Sequence, residues 1–420
     1  MATQSKHTRH LISASRLFDG KGQDLQDSGV VLTEDRIAAV GPRAELLSQF
    51  TSADLVEEHF EGCTLLPGLI DMHTHLIMQG DGLPAWEHSQ NPDEILLLVA
   101  ARNAWRCLQA GFTTVADMGA KGMVTFRLRE AIQKKIVVGP RLYLSGRPLT
   151  ITGGHGWMLG SEVDGGDGLR QAVRQLCKEG ADLIKVMVTG GGTPGTDTRR
   201  PAYSLPELRA IVEEAHARTR KVFGHSGAIL ATQWALDAGF DVILHCHFQT
   251  PDGRNDFDEG LGRRILEQGV FVNPTLQTNR NRGDERVISR LPAGERQAAF
   301  ESWQARYEKV ANNFCHLHRL GVRLMCGSDS GWGWSAFGEN YLELDAMVAA
   351  GMSALEALTA ATGTAADALG WGDRIGSLDP GKKADLLVVG GNPMQDICAL
   401  KDVRRVWLDG QRVDNRSAFG

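Results

Sequence analysis

The chain has 420 residues, 42% of them hydrophobic and 23% charged, with a formal net charge of -6. That length suffices for one large domain or two, and acids interspersed with bases leave no basic footprint for nucleic acid. No run approaches the roughly 20 apolar residues of a membrane span. Met1 to His10 is polar and lacks an apolar h-region, so neither a signal peptide nor an anchor is expected. Seven scattered cysteines, with no Cys-x-x-Cys pair, read as reduced, mostly buried thiols of a cytoplasmic protein.

In chain order, residues 9 to 66 read as short strands. His10 to Ala14 is one, and Gly29 to Thr33 turns through Glu34-Asp35 into Arg36 to Val40 with hairpin spacing. Residues 376 to 414 repeat that texture, which suggests one small sheet domain built from both chain ends. Between them, strand-like runs at 66–73, 112–117, 141–146, 181–188, 221–225, 241–247, 270–275 and 322–328 alternate with helical periodicity. One helix is expected over Pro92 to Ala110, capped by Asn91, and another over Leu205 to Thr219, opened by a Ser204/Glu207 capping box. Eight strand–helix alternations over about 300 residues predict an α/β fold, a (β/α)₈ TIM barrel spanning 67–370. A small β-sandwich from 1–66 and 371–420 would complete it. An open doubly wound sheet is the competing fold, but no Gly-x-Gly-x-x-Gly follows the first strand.

Barrel active sites lie at the C-terminal ends of the strands, so the polar residues ending these runs are the candidates. The first run ends in His73-Thr74-His75, two imidazoles expected on one strand face. The fourth carries Lys185 inside Leu183 to Val188, where burial lowers an ammonium's pKa. An amine freed in this way reacts with carbon dioxide to give a carbamate suited to bridging two metal ions. The fifth run ends in His225, the sixth in His245-Cys246-His247 and the eighth in Ser328-Asp329-Ser330. Each residue alone has an ordinary structural explanation. Together they put imidazoles, a carboxylate and an odd lysine at one end of the sheet, and a divalent metal is the usual user of such a set.

The stretch Pro67-Gly68-Leu69-Ile70-Asp71-Met72-His73-Thr74-His75, with Gly111 to Val115, Thr152 to Gly156 and Gly376 to Leu386, resembles the binuclear-metal branch of the amidohydrolase superfamily. Within it, the chain is similar to the imidazolonepropionase-like group that includes Xaa-Pro dipeptidases, carboxypeptidases and ochratoxinase-type amidases. The resemblance implies that His73 and His75 bind one metal and His225 and His245 the other. Carboxylated Lys185 would bridge both, and Asp329 would complete the first site. His155 and Tyr203 would hold or polarise the substrate carbonyl. Where the group usually has Ile-Glu-His, this chain has Ile243-Leu244-His245. Spacing from Gly239 favours His245 as ligand, with His247 beyond it or in the substrate pocket. Relatives assemble into rings, so a homo-oligomer is implied.

The chemistry expected is amide hydrolysis by hydroxide shared between two metals, zinc first, with manganese or cobalt as alternatives. Asp329 acts as base and then acid, while His155 and Tyr203 steady the oxyanion. Trp157, Trp332 and Trp334, on loops at the catalytic face, suggest a bulky apolar group in the substrate. Arg199 and Arg200, or Arg280 and Arg282, are candidate cations for a substrate carboxylate. A dipeptidase, carboxypeptidase or N-acyl-amino-acid amidase is the leading expectation. A cyclic-amide hydrolase or deaminase of the imidazolonepropionase type is the alternative, and Lys185 argues against mononuclear deaminases. A non-catalytic scaffold should have lost ligands, and every position is filled.

Overall fold

The computed structural model describes residues 9–50 and 55–414. The polar N-terminal stretch from Met1 lies outside them, apart from Arg9 and His10. Four strands open the chain: β1 (Arg9–Phe18), β2 (Asp24–Thr33), β3 (Arg36–Pro42) and β4 (Leu55–Pro67). The middle holds β5 (Leu69–Thr74), β6 (Phe112–Asp117), β7 (Arg141–Leu144), β8 (Leu149–Thr150) and β9 (Ser161–Glu162). It continues with β10 (Leu183–Met187), β11 (Lys221–Ala228), β12 (Val242–Gln249) and β13 (Phe271–Asn273). The last strands are β14 (Leu386–Gly390), β15 (Val403–Leu408) and β16 (Gln411–Arg412).

Both ends of the chain meet in a single seven-stranded sheet of order β16-β15-β14-β4-β1-β2-β3. The expected hairpin is there: β2 and β3 pair antiparallel up to Thr33 opposite Arg36, and Glu34 takes the left-handed turn conformation. The joint is β4, parallel to β1 on one side and antiparallel to β14 on the other. At Gly68 the chain passes from β4 into β5, the first strand of the central region.

The central strands are parallel, in a three-stranded sheet β5-β6-β7 and a six-stranded sheet β13-β12-β11-β10-β8-β9. Between β7 and β10, the Asp182 N–H donates to Leu144 O at 2.8 Å. Between β13 and β5 runs the segment 322–328, expected as an eighth strand. It is extended, but it makes only isolated bridges, Leu324 to Val272 and, just beyond, Ser330 to Thr74. In register with the Val272–Leu324 bridge, the next ladder donor to Met325 O would be residue 274, a proline with no N–H; the Asn273 side-chain amide instead donates to Gly327 O at 3.0 Å and, at 3.4 Å, to Met325 O. Ile70, Met72, Leu183, Phe223, Leu244 and Met325, from strands on both central sheets and this segment, share one buried cluster. Their buried surface fixes the strand ends in place.

Helices pack outside. The helix Asp93–Gln109 begins one residue later than expected, with Pro92 rather than Asn91 at its N-cap; the Asn91 amide instead donates to His88 O. The helix Leu205–His216 has the expected capping box and stops before Thr219, whose φ is 55°. No helix among the described residues is long and apolar enough to cross a membrane. All seven cysteines are free.

Candidate metal centre

Parallel strands deliver side chains to the end where their carboxyl termini gather. There, His73, His75, Lys185, His225, His245 and Asp329 line one cavity of about 160 Å³, together with His155, His247 and Trp332. His73 and His75 Nε2 each lie 3.4 Å from Asp329 Oδ1. One donor atom each from His73, His245 and Asp329 lies within 4.8 Å of the others. The His225 and His245 ring centroids are 4.2 Å apart.

Strand period two accounts for only part of this. Opposite the β11 residues Ser226 and Ala228 stand His245 and Gln249, so β12 holds two extra residues across that step. His245, Cys246 and Phe248 all have positive φ. The resulting bulge turns both His245 and His247 into the cavity and buries Cys246. Asp329, also at positive φ (55°), is pinned by its N–H donating to His73 O at 2.7 Å.

Each imidazole is oriented from behind. His73 Nδ1 donates to Asn273 Oδ1 at 3.1 Å and His75 Nδ1 to Gly119 O at 3.1 Å. The Thr275 hydroxyl donates to Pro274 O, so it accepts from His245 Nδ1, 2.7 Å away. All three therefore present an unprotonated Nε2. His225 is reversed: its Nε2 donates to Gly190 O at 3.2 Å, leaving Nδ1 as the nitrogen on offer. Such partners fix the tautomers of metal-binding histidines. Burial, aided by Lys185, holds His73 well below the usual histidine range; burial and neighbouring imidazoles do the same for His225 and His245. Neutral imidazoles are what a metal requires. Burial lowers Lys185 to about 7, opposed by Asp329, and the amine has no hydrogen-bond or ion-pair partner among the described residues. Neutral imidazoles, one carboxylate and a reactive amine, gathered in one cavity and all buried except the half-buried His225, fit a divalent metal centre.

His155 stands over this cluster, its ring centroid 4.5 Å from that of His225. Burial, with Lys185 and His75, lowers it to about 3. The Thr193 hydroxyl accepts from Gly156 N–H and lies 2.8 Å from His155 Nδ1. Donation to Nδ1 leaves Nε2–H facing Gly191, where an added Cβ would come within 2.4 Å of Nε2.

Several expected residues are elsewhere. Tyr203 is buried away from the cavity, because its phenol donates to Val163 O at 3.1 Å. Trp157 is 45% exposed and lies outside the cavity lining, although it follows the His155 turn. Arg199 and Arg200 are exposed and pair with Asp197 in their own loop. Arg280 pairs with Asp345 at 2.8 Å. Arg282 does reach the cavity, half-buried and without an ion-pair partner among the described residues; burial lowers its pKa. The sequence reading missed Arg306, exposed at the cavity edge on the helix Arg296–Leu320, and also Thr275 and Asn279. Arg306 sits among other charged helix positions, with nothing local to single it out. The left-handed turn at Thr275 (φ 51°) follows Asn273-Pro274, a turn signal that could have drawn attention to it.

A buried histidine cluster with a lysine and an aspartate at the C-terminal ends of parallel strands defines a hydrolase-type site. The chain belongs to the amidohydrolase family, whose model matches residues 64–413. It is a hydrolase acting on carbon–nitrogen bonds. Ochratoxinase of Aspergillus niger is 28% identical over 96% of this chain and 86% of that protein. Imidazolonepropionase of Porphyromonas gingivalis is 26% identical over 92% of this chain and 87% of its own. Among solved structures, a Xaa-Pro dipeptidase with bound methionine superposes with a TM-score of 0.82 at 28% identity, covering 97% of this chain and all of that one.

Proposed function

We propose that this protein is a metal-dependent amidohydrolase that cleaves a peptide-like amide bearing a free carboxylate on its nitrogen side. Dipeptides, C-terminal residues, N-acyl-amino acids and xenobiotic amides of the ochratoxin type share that pattern. The observation carrying the carboxylate is Arg282, a half-buried guanidinium facing the histidine cavity with no acid paired to it. An anion would relieve the cost of that burial. Similarity to an ochratoxinase and a Xaa-Pro dipeptidase supports the same substrate class.

In this reading His73, His75 and Asp329 would hold one divalent ion, His225 and His245 would hold the other, and a carbamate on Lys185 would serve as a ligand to both. Zinc suits these donors best, with manganese or cobalt accommodated. Bound there, the ions supply Lewis acidity and a water acidic enough to ionise near neutral pH. Asp329 takes the proton of the attacking water on a carboxylate oxygen and returns it to the leaving nitrogen as the C–N bond breaks. His155 donates Nε2–H to the carbonyl oxygen as negative charge grows on it, and its neutrality keeps that donor from competing for the proton. Arg282 anchors the carboxylate and so orients the amide. The scaffold in this reading is a (β/α)₈ barrel over 67–370 with a small β-sandwich from 1–66 and 371–420. The bonds from Asp182 to Leu144 and from Met72 to Cys326 O, at 3.0 Å, support closure.

A turnover screen of the zinc-loaded protein, read by mass spectrometry, tests the assignment. Cleavage of dipeptides and N-acyl-amino acids, with the corresponding C-terminal amides poor substrates, is expected. Turnover confined to cyclic or neutral amides would overturn the substrate class.

A further inference from the structure

Beside the metal cavity lies a second, larger hollow of about 270 Å³. Its walls are four half-buried indoles drawn from three separate segments: Trp86, Trp303, and Trp332 with Trp334. Val287 lines it too, and Arg282 is the one ionisable side chain in its wall among the described residues. Trp332 and Arg282 belong to both hollows, and the Trp332 ring lies 5.2 Å from His155 and 5.4 Å from His75. Two glycines make room for these walls: an added Cβ at Gly82 would lie 2.1 Å from the Trp334 ring, and one at Gly192 would lie 3.1 Å from Trp332 Nε1. Either hollow alone is smaller than the roughly 300 Å³ at which small-molecule sites begin, whereas the two joined exceed it. Indoles left half-bare around a concavity mark a surface built to be covered.

We propose that this annex receives an aromatic side chain of the substrate's carboxylate-bearing residue, the one released as the free amine. The inference rests on the carboxylate reading of Arg282 given above. In an N-acyl-α-amino acid, one carbon bears the carboxylate, the side chain and the scissile nitrogen. With the carboxylate on Arg282 at the boundary, the amide extends into the histidine cavity and the side chain turns the other way, onto the indoles. The enzyme is therefore selective for amides of phenylalanine, tyrosine or tryptophan, and tolerant of the acyl group.

Three substrates of the zinc-loaded enzyme test this: N-acetyl-L-phenylalanine, N-acetyl-L-alanine and N-phenylacetylglycine. The phenylalanine amide should exceed the alanine amide in kcat/KM by about tenfold or more, the discrimination that one large apolar group provides. That ratio should collapse towards one in Trp303→Ala and in Val287→Trp, which fills the annex. A binding readout runs alongside: 3-phenylpropanoate should quench tryptophan fluorescence at concentrations at least about tenfold below those of propanoate, and lose that advantage in both variants. Zinc content and thermal midpoint establish that the variants are folded. Equal turnover of the two N-acetyl amides, or preference for the phenylacetyl one, overturns the annex assignment while leaving the carboxylate reading intact. Failure of all three amides, with neutral amides cleaved, overturns both.

Discussion

Replacing Arg282 by methionine keeps an unbranched apolar stem and removes the charge. In the free protein this guanidinium is half-buried and unpaired, so it costs stability that nothing among the described residues repays. Its removal should leave the thermal midpoint at or above that of the unsubstituted protein. The substrate carboxylate loses a charge-assisted pair, worth about 1.5–3 kcal/mol, so kcat/KM on N-acyl-amino acids should fall by roughly 10- to 150-fold. The same substrates as C-terminal amides carry no charge to lose and should change by less than about threefold. Steady-state kinetics on four combinations of enzyme and substrate isolates the coupling. A lowered midpoint with equal losses on acid and amide would show that Arg282 serves packing and would refute the reasoning.

Lys185→Ala should leave less than one zinc per chain by elemental analysis; retention of two would refute the carbamate on Lys185. Asp329→Asn should lower kcat by about 10²–10⁴ while the circular dichroism spectrum stays unchanged, and near-native turnover would deny it the proton. Gly82→Ala forces a Cβ against the Trp334 ring at a φ of +83°, so a loss of roughly 2 kcal/mol or more in chemical denaturation is expected; an unchanged midpoint would mean the loop is free to yield. The metal-free protein should lose stability as pH falls from 6.5 towards 3. Five imidazoles, His73, His155 and His245 buried and His225 and His247 half-buried, bind fewer protons folded than unfolded across that window. Each adds up to about 1.4 kcal/mol per pH unit. Glu343, held near 8 by burial, and Asp117, near 6, act in the opposite sense without cancelling five histidines. Urea midpoints that are flat between pH 6.5 and 4 would contradict the burial of these groups.

The strand ends were legible because hydrophobic runs terminate in residues that burial disfavours: His73, Lys185, His225, His245 and Asp329 stood out for that reason, and the cavity gathers them. His247 reaches the same cavity, but through a bulge with left-handed residues that period two does not anticipate. The eighth run reads as a strand from its apolar texture, yet its neighbour turns at Asn273-Pro274, where the proline has no N–H to extend the ladder and the asparagine amide, 52 and 54 residues away in sequence, takes Met325 O and Gly327 O. Tyr203 shows the limit most plainly. The family resemblance implies a place over the substrate, but which way a phenol points depends on a distant carbonyl, that of Val163. Arg282 and the indoles of the annex converge from separate loops and helices, an arrangement that tertiary packing decides and local pattern does not encode.

The position of β4 between β1 and β14 has a consequence for how the molecule is made. Leu65 pairs with Val388, so closing that sheet joins residues on the order of 300 positions apart. Loop closure of that length costs about 5 kcal/mol of chain entropy before any contact repays it. During synthesis β4 emerges early with one edge bare, and immediately after it comes the strand carrying His73. The edge stays open until β14 has left the ribosome, so a nascent or truncated chain ending before Leu386 exposes a pairing surface just upstream of His73 and His75. Aggregation of such truncations through β4, ahead of any loss of metal binding, is the failure this topology favours.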